Sequence, residues 1–168
     1  MKMIGVAGVV WGMVCMAPFA YAADFAAQRA VPFGEDSIVA GNIKRECAID
    51  IQLPAALARF AAEAGHRVEL QDAPDTSSGQ VVTMEIHDAQ SAGNAWMGHH
   101  KSVTVKGALY RDGQRVAKFV ARRNSRGGFG AGFKGSCAVL ERTVNAIGKD
   151  VAGWLNNPVD GSQLGDLR

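Results

Sequence analysis

Residues 109–117 read LYRDGQRVA, and this stretch contains the clearest local structural signal in the chain. Its centre, Asp112-Gly113, lies between Leu109-Tyr110 and Val116-Ala117, which is the pattern of a tight β-hairpin whose turn requires positive φ at both central residues. Apolar residues alternate from Lys101 up to this turn, and a return strand is predicted from Gln114 to about Arg123. The centre of the chain therefore predicts antiparallel strands.

Periodicity predicts further elements outward from this hairpin. Strands are predicted over 38–46, 66–71 and 80–87, a first helix over about 54–64, and a second helix over about 136–155. Pro54 suits the first turn of the first helix, and Gly65 suits its C-terminal cap. Asn156-Asn157-Pro158 stops the second helix.

These elements define a fold class. An antiparallel sheet with one apolar face is covered by helices on that face. We therefore expect a single α+β domain over residues 23–157, a two-layer sandwich in which two helices pack on one face of an antiparallel sheet of about four to five strands. Residues 158–168 are predicted to form a loose C-terminal tail.

Residues 1–22 have the features of a cleavable secretory signal peptide. An uncharged apolar stretch over 3–16 follows Lys2, and Ala20-Tyr21-Ala22 offers the small residues that a signal peptidase requires. The stretch is short for an uncleaved anchor, since a membrane-spanning helix needs ~20 predominantly apolar residues. Lipid attachment at Cys15 is disfavoured because a valine, not a small residue, precedes it. We expect a periplasmic protein with no transmembrane anchor after cleavage.

Two cysteines, Cys47 and Cys137, remain after cleavage. In an oxidising compartment, an even pair without metal-ligand spacing indicates a disulfide, and the alternative of a reactive thiol has no local signature. The bond would hold the beginnings of both predicted helices against the sheet.

Three stretches carry a family resemblance: SVTVKG at 102–107, GGFGAGFKGSC at 127–137 and GKDVAGWL at 148–155. Together with the hairpin, they resemble a family of small exported proteobacterial proteins without an assigned function. The resemblance supports the disulfide and the periplasmic location, and it implies no activity. The order of elements is also similar to the α+β domains of periplasmic helper proteins such as LpoB and the N-terminal domain of TolB, which is an analogy of fold alone.

Charge is distributed unevenly along the chain. Residues 99–134 contain nine basic residues and one acidic residue, whereas residues 23–98 contain five basic and eleven acidic residues. On the hairpin, Lys118 and Arg122 alternate with apolar residues, so some of these cations are expected on the solvent face of the sheet. Polyanions of the periplasm, such as lipid headgroups, lipopolysaccharide phosphates and acidic proteins, are candidate ligands. The alternative is a solvated face that uses Lys and Arg for solubility and edge protection.

The glycine-rich run 127–135 ends where the second helix is predicted to begin. Backbone amides there, together with the positive helix end, could bind an anion. The run matches neither a P-loop nor a dinucleotide fingerprint, and the alternative is a flexible loop whose phenylalanines pack on the core. The candidate binding residues of the hairpin and this run are Lys106, Lys118, Arg122, Arg123, Arg126, Lys134, Gly135 and Ser136.

The sequence thus predicts a non-enzymatic periplasmic binding or accessory protein that engages an anionic envelope component or a protein partner. The alternative is a small enzyme or enzyme inhibitor with a cleft near Ser136 and His99-His100. Adjacent strand residues point to opposite faces, so the two histidines do not chelate one ion together. We assign no catalytic residue, no metal and no cofactor, and we expect no nucleic acid partner.

The signal peptide yields a first testable prediction. Protein recovered from the periplasm should begin at Ala23 and carry no lipid, because the signal peptidase pattern ends at Ala22. Intact-mass measurement checks this, and a diacylglyceryl adduct on Cys15 would contradict it.

Overall fold

The computed structural model describes residues 24–94, 98–126 and 135–167. The elements in chain order are β1 (Phe25–Gln28), β2 (Phe33–Val39), α1 (Gly41–Glu46), α2 (Ile49–Glu63), β3 (Val68–Gln71), β4 (Gln80–Asn94), β5 (Gly98–Arg111), β6 (Gln114–Arg126), α3 (Ser136–Leu155) and β7 (Ser162–Gly165). The predicted signal peptide and most of the glycine-rich run lie outside the described residues.

The sheet is larger than predicted and is mixed. Its strand order is β3-β1-β4-β5-β6-β7, and β2 also pairs with β4. The pairs β4–β5 and β5–β6 are antiparallel, but β1–β3, β1–β4, β2–β4 and β6–β7 are parallel. The prediction of four to five antiparallel strands was therefore incomplete. Helical crossovers, such as α3 between β6 and β7, bring the additional short strands back in parallel.

The predicted hairpin is confirmed. Asp112 and Gly113 have φ angles of 48° and 83°, and Arg111 pairs with Gln114 on either side of the turn. The Asp112 carboxylate also accepts a hydrogen bond of 2.8 Å from the backbone N–H of Gly79. The turn is thereby attached to the loop that precedes β4.

The first helical region differs from the prediction in two ways. The chain from 41 to 46 forms α1 instead of continuing a strand, and α2 begins at Ile49, five residues before the predicted start at Pro54. A proline inside a helix removes the hydrogen bond to the carbonyl four residues earlier. That carbonyl, of Asp50, accepts the backbone N–H of Val31 at 3.0 Å. The group freed by Pro54 therefore joins α2 to the segment between β1 and β2.

Helices α2 and α3 pack on one face of the sheet and on each other. Their contact is close at Gly148, where an added Cβ would lie 2.7 Å from the Ala56 Cβ. On the sheet side, the rings of Phe119 and Trp154 meet edge to face at 4.8 Å between centroids. The two-layer arrangement is as predicted, with α1 as a third helix.

The C-terminal tail is ordered where a loose segment was predicted. Residues of β7 pair in parallel with β6 from Phe119 to Arg122. Asp160 accepts the backbone N–H of Lys118 at 2.9 Å, and Asp166 accepts that of Asn124 at 2.6 Å. Two aspartates therefore attach the tail to the side of β6. None of the helices in the described ranges is long and apolar enough to cross a membrane.

The predicted disulfide is confirmed. Cys47 is bonded to Cys137, with 4.9 Å between their Cα atoms and a sequence separation of 90. Cys47 directly follows α1, and Cys137 lies in the first turn of α3. The bond therefore fixes the beginning of α3 against the segment between α1 and α2.

A second prediction concerns this bond. Cys137→Ser, or reduction of the wild type, should lower the free energy of unfolding by as much as ~4–5 kcal/mol. The reason is that the bond closes a long loop and so lowers the entropy of the unfolded chain. Urea unfolding with and without reductant measures the difference. Equal unfolding midpoints would contradict the prediction.

Candidate functional site

Alternation along the strands separates the basic residues onto two faces. Val103, Val105 and Leu109 of β5 point into the core beneath α2 and α3. Residues one step out of phase point to the opposite side, which we call the outer face. The face on which a cation lies therefore decides whether helices cover it.

Three predicted binding residues, Lys106, Lys118 and Arg122, lie on the outer face. Lys106 and Lys118 flank a shallow groove of about 360 Å³ whose lining includes Thr83 and Glu85. None of the three cations forms an ion pair within residues 24–94, 98–126 and 135–167. The Nε of Arg122 is buried and has no hydrogen-bond partner in the same part of the chain.

Arg123 departs from the prediction that placed it in the same basic surface. It follows Phe119 and Ala121 in phase, so its side chain points to the helical layer. Its guanidinium donates two hydrogen bonds to Asp150, at 2.6 and 2.7 Å, and one to Asp166 at 3.1 Å. The hydrogen bonds to Asp150, followed by the charges of both carboxylates, raise the pKa of Arg123 above its usual value. Its charge is therefore neutralised within the fold.

Two of the remaining predicted residues, Gly135 and Ser136, form the beginning of α3. Gly135 is the N-cap residue and Ser136 is the first helical residue, while no side chain caps the helix and its first turn contains no acidic residue. The side chains of Arg126, Lys134, His99 and His100 lie outside the described part of the structure. Their roles stay predictions.

The structure adds a residue that the sequence reasoning missed as a site. Lys101 is 3% exposed and donates hydrogen bonds from Nζ to the hydroxyls of Ser91 and Ser136, the latter at 3.1 Å. Burial lowers the pKa of Lys101 below its usual value. The signal was present in the sequence, because Lys101 is in phase with Val103 and Val105 and so belongs to the covered face.

No group of three or more His, Cys, Asp or Glu side chains within the described ranges is arranged to hold a metal ion. The candidate binding residues that the structure describes offer hydrogen-bond donors and positive charge on the outer face and at the beginning of α3.

Comparison with known proteins shows that this chain shares its fold with a solved structure. No family model and no curated protein matches the chain. A solved structure from Xanthomonas campestris, described as a DUF330 family protein, matches with a TM-score of 0.56 and 11% identity, covering 80% of this chain and 84% of that one. A lipoprotein from Neisseria meningitidis matches at a TM-score of 0.47 and 13% identity, covering 81% of this chain and 100% of that one. The first likeness shows a shared fold, and the second is too distant to support an argument. The resemblance of the C-terminal stretches to an exported family, and the analogy with LpoB and TolB, stay predictions.

The opposite placement of two neighbouring arginines gives a third prediction. Arg123→Gln should lower the free energy of unfolding by about 1–3 kcal/mol, because it leaves partly buried carboxylates without their partner. The matched variant Arg122→Gln removes the same charge from the outer face and should change stability by less than about 0.5 kcal/mol. Urea unfolding at neutral pH compares them, and equal losses would contradict the assignment of faces.

The same comparison has a pH dependence. The backbone N–H of Asn124 and the charge of Arg123 lower the pKa of Asp166 below the ordinary 3.8. Stabilisation by the Asp166 carboxylate is therefore complete above that ordinary value and is lost as pH falls through the lowered pKa. The difference between the two variants should shrink in that acidic range.

Proposed function

We propose that the protein is an exported, non-enzymatic accessory protein of the cell envelope that binds a phosphate-bearing surface through Lys106, Lys118 and Arg122. The observation that carries the proposal is that these cations lie on the face of the sheet opposite α2 and α3 without an ion pair in the described part of the chain. Lys106 and Lys118 are exposed there, and Arg122 is half-buried. Arg123, on the covered face, has two carboxylate partners. The outer face therefore presents positive charge that the fold does not use.

The spacing of the cations supports an extended ligand. Lys118 is directly opposite Ala108, so Lys106 and Lys118 are diagonal neighbours, at roughly 7–8 Å. Lys118 and Arg122 are four residues apart on one strand, which is about 13 Å at the usual rise per residue. One small anion cannot contact all three cations at once. A surface with separate phosphate groups can.

The composition of the face favours a charged surface over a protein partner. Protein interfaces are depleted in lysine at their centres and enriched in aromatic residues. Here, two lysines flank the groove, and no aromatic residue is among the described residues that line it. The rest of the lining is mixed, with polar and charged residues (Gln28, Thr83, Glu85, Arg115) beside Pro32, Met84, Gly107 and Ala108. Lysine binds phosphate as a point charge and tolerates variation in geometry, as a fluid lipid surface requires. The location in the envelope depends on the predicted signal peptide.

Vesicle binding provides the fourth prediction. The variant Lys106→Gln/Lys118→Gln/Arg122→Gln should bind phosphatidylglycerol-containing vesicles on the order of 100-fold more weakly than wild type, since each basic residue near an anionic membrane contributes about 1 kcal/mol. Wild-type binding should weaken steeply as salt rises, because exposed charges are screened over about 8 Å at physiological ionic strength. Vesicle co-sedimentation measures both effects.

A matched control removes three cations from the helical layer. Arg59, Arg142 and Lys149 are exposed there, and their replacement by Gln changes the net charge equally. This control should bind vesicles nearly as well as wild type. Equal losses in both triple variants would show a nonspecific effect of net charge and would overturn the proposal, as would unchanged binding in the outer-face variant. Thermal unfolding verifies that both variants are folded.

A further inference from the structure

The buried Lys101 side chain has polar neighbours on both the sheet and α3. Its side chain points under the helical layer, and its direct cross-strand neighbour on β4 is Ser91. From the other side, Ser136 of α3 places its hydroxyl within hydrogen-bond distance of the same ammonium group. The three side chains thus form a polar cluster between the sheet and the beginning of α3.

Lys101 is a buried cation for which the described part of the chain provides no carboxylate partner. Among the residues that the structure describes, Lys101 makes no ion pair with a carboxylate. The stretches 1–23, 95–97 and 127–134 contain neither Asp nor Glu, so their side chains provide no carboxylate either. A buried charge without a partner is strongly unfavourable. The positive charge of the Lys101 ammonium group is therefore not balanced by a carboxylate of the described residues.

The beginning of α3 increases the positive potential. A helix N-terminus carries about half a positive charge, and here it has neither a capping side chain nor an acidic residue in its first turn. The ammonium group therefore lies beside a second positive feature. The ammonium group of Lys101 and the N-terminus of α3 both favour a negatively charged group at the beginning of this helix.

The directions of the hydrogen bonds leave donors available. Nζ of Lys101 donates to both serine oxygens, so the hydroxyl protons must point elsewhere. The two Oγ atoms are 3.3 Å apart, which lets the Ser91 hydroxyl donate to Ser136. The proton of Ser136, an exposed residue, can then be donated outward. The cluster presents positive charge and an outward hydroxyl donor, as a site for an oxyanion does.

We propose that Lys101, Ser91 and Ser136 form a binding site for a single phosphate group at the beginning of α3. Lys101 supplies the charge, Ser136 supplies an accessible donor, and Ser91 holds the ammonium group in place. The site is independent of the outer face, because Lys101 lies on the opposite side of the sheet from Lys106 and Lys118.

Titration with inorganic phosphate tests the site in the mature, disulfide-bonded protein. Saturable binding is expected by calorimetry, with changes in the amide NMR signals of Cys137 and Ala138. Lys101→Met should weaken binding at least tenfold and Ser136→Ala severalfold, whereas Lys149→Met, a control at an exposed residue of α3 outside both proposed sites, should leave it unchanged. The Ser136→Ala variant keeps the test valid if Lys101→Met fails to fold, since Ser136 is exposed. Phosphate should also raise the melting temperature of wild type but not that of Lys101→Met.

Vesicles distinguish the source of the phosphate and separate this site from the proposed outer-face function. If Lys101→Met loses inorganic phosphate but binds vesicles as wild type does, the ligand is a soluble phosphate. If it loses both, the ligand is a lipid headgroup. The outer-face triple variant should keep its binding of inorganic phosphate, so failure of one proposal does not imply failure of the other.

Three results would overturn the site: no saturable phosphate binding at millimolar concentration, equal binding by wild type and Lys101→Met, or binding of acetate in place of phosphate. A fourth result would replace it with different chemistry. Labelling of Ser136 by a fluorophosphonate, abolished in Lys101→Met, would show that Lys101 acts as a general base and that Ser136 is a nucleophile.

Discussion

The register between β5 and β6 determines which side chains of the sheet face the helices and which face the opposite side. Because side chains alternate along a strand, a shift of one residue would exchange the two faces of the sheet. Phe119 would leave the core, and Lys118 would enter it. The two-residue turn at Asp112-Gly113 starts this register, and an irregularity between Leu109 and Tyr110 then shifts the pairing of β6 by one residue before Ala117. The attachment of the turn to Gly79 fixes it in place. The chemistry of both faces therefore follows from the turn and this irregularity together.

Much of the fold could be predicted because its signals are local or paired. The turn at Asp112-Gly113 requires unusual backbone angles that few residue pairs adopt, and α3 has a long apolar stripe that ends before Pro158. The short elements β1, α1 and β7 have four to six residues each, too few for a period to emerge. The strands β1 and β7 exist because neighbouring strands offer them free backbone groups, which is a property of the assembled sheet. The helix α1 is too short to show a period and buries a single side chain, Ile43. Pro54 was misleading for a related reason: the carbonyl that it frees is used by a residue distant in sequence.

The candidate site was only partly predictable. The positions of Lys106, Lys118 and Arg122 on the outer face follow from alternation, because these residues are out of phase with the apolar residues of their strands, and their role in binding stays a proposal. Arg123 and Lys101 are in phase with those residues, and the sequence places both on the covered face once phase is considered before charge. Their partners could not be read from the sequence. Asp150 and Asp166 approach Arg123 from α3 and from the segment after β7, and Ser136 approaches Lys101 from α3, so these contacts exist only after the helical layer has packed.

The small strand β7 completes the sheet on the side of β6. Its four residues occupy one border of the sheet, beside the 13 residues of β6. Without it, the middle of β6 would present unpaired N–H and C=O groups, the kind of border to which a second chain adds a strand. The aspartates before and after β7 hold it in place through backbone N–H groups of β6. Loss of β7 would therefore expose this border of β6 and would also open the core, because Leu164 of β7 is buried there.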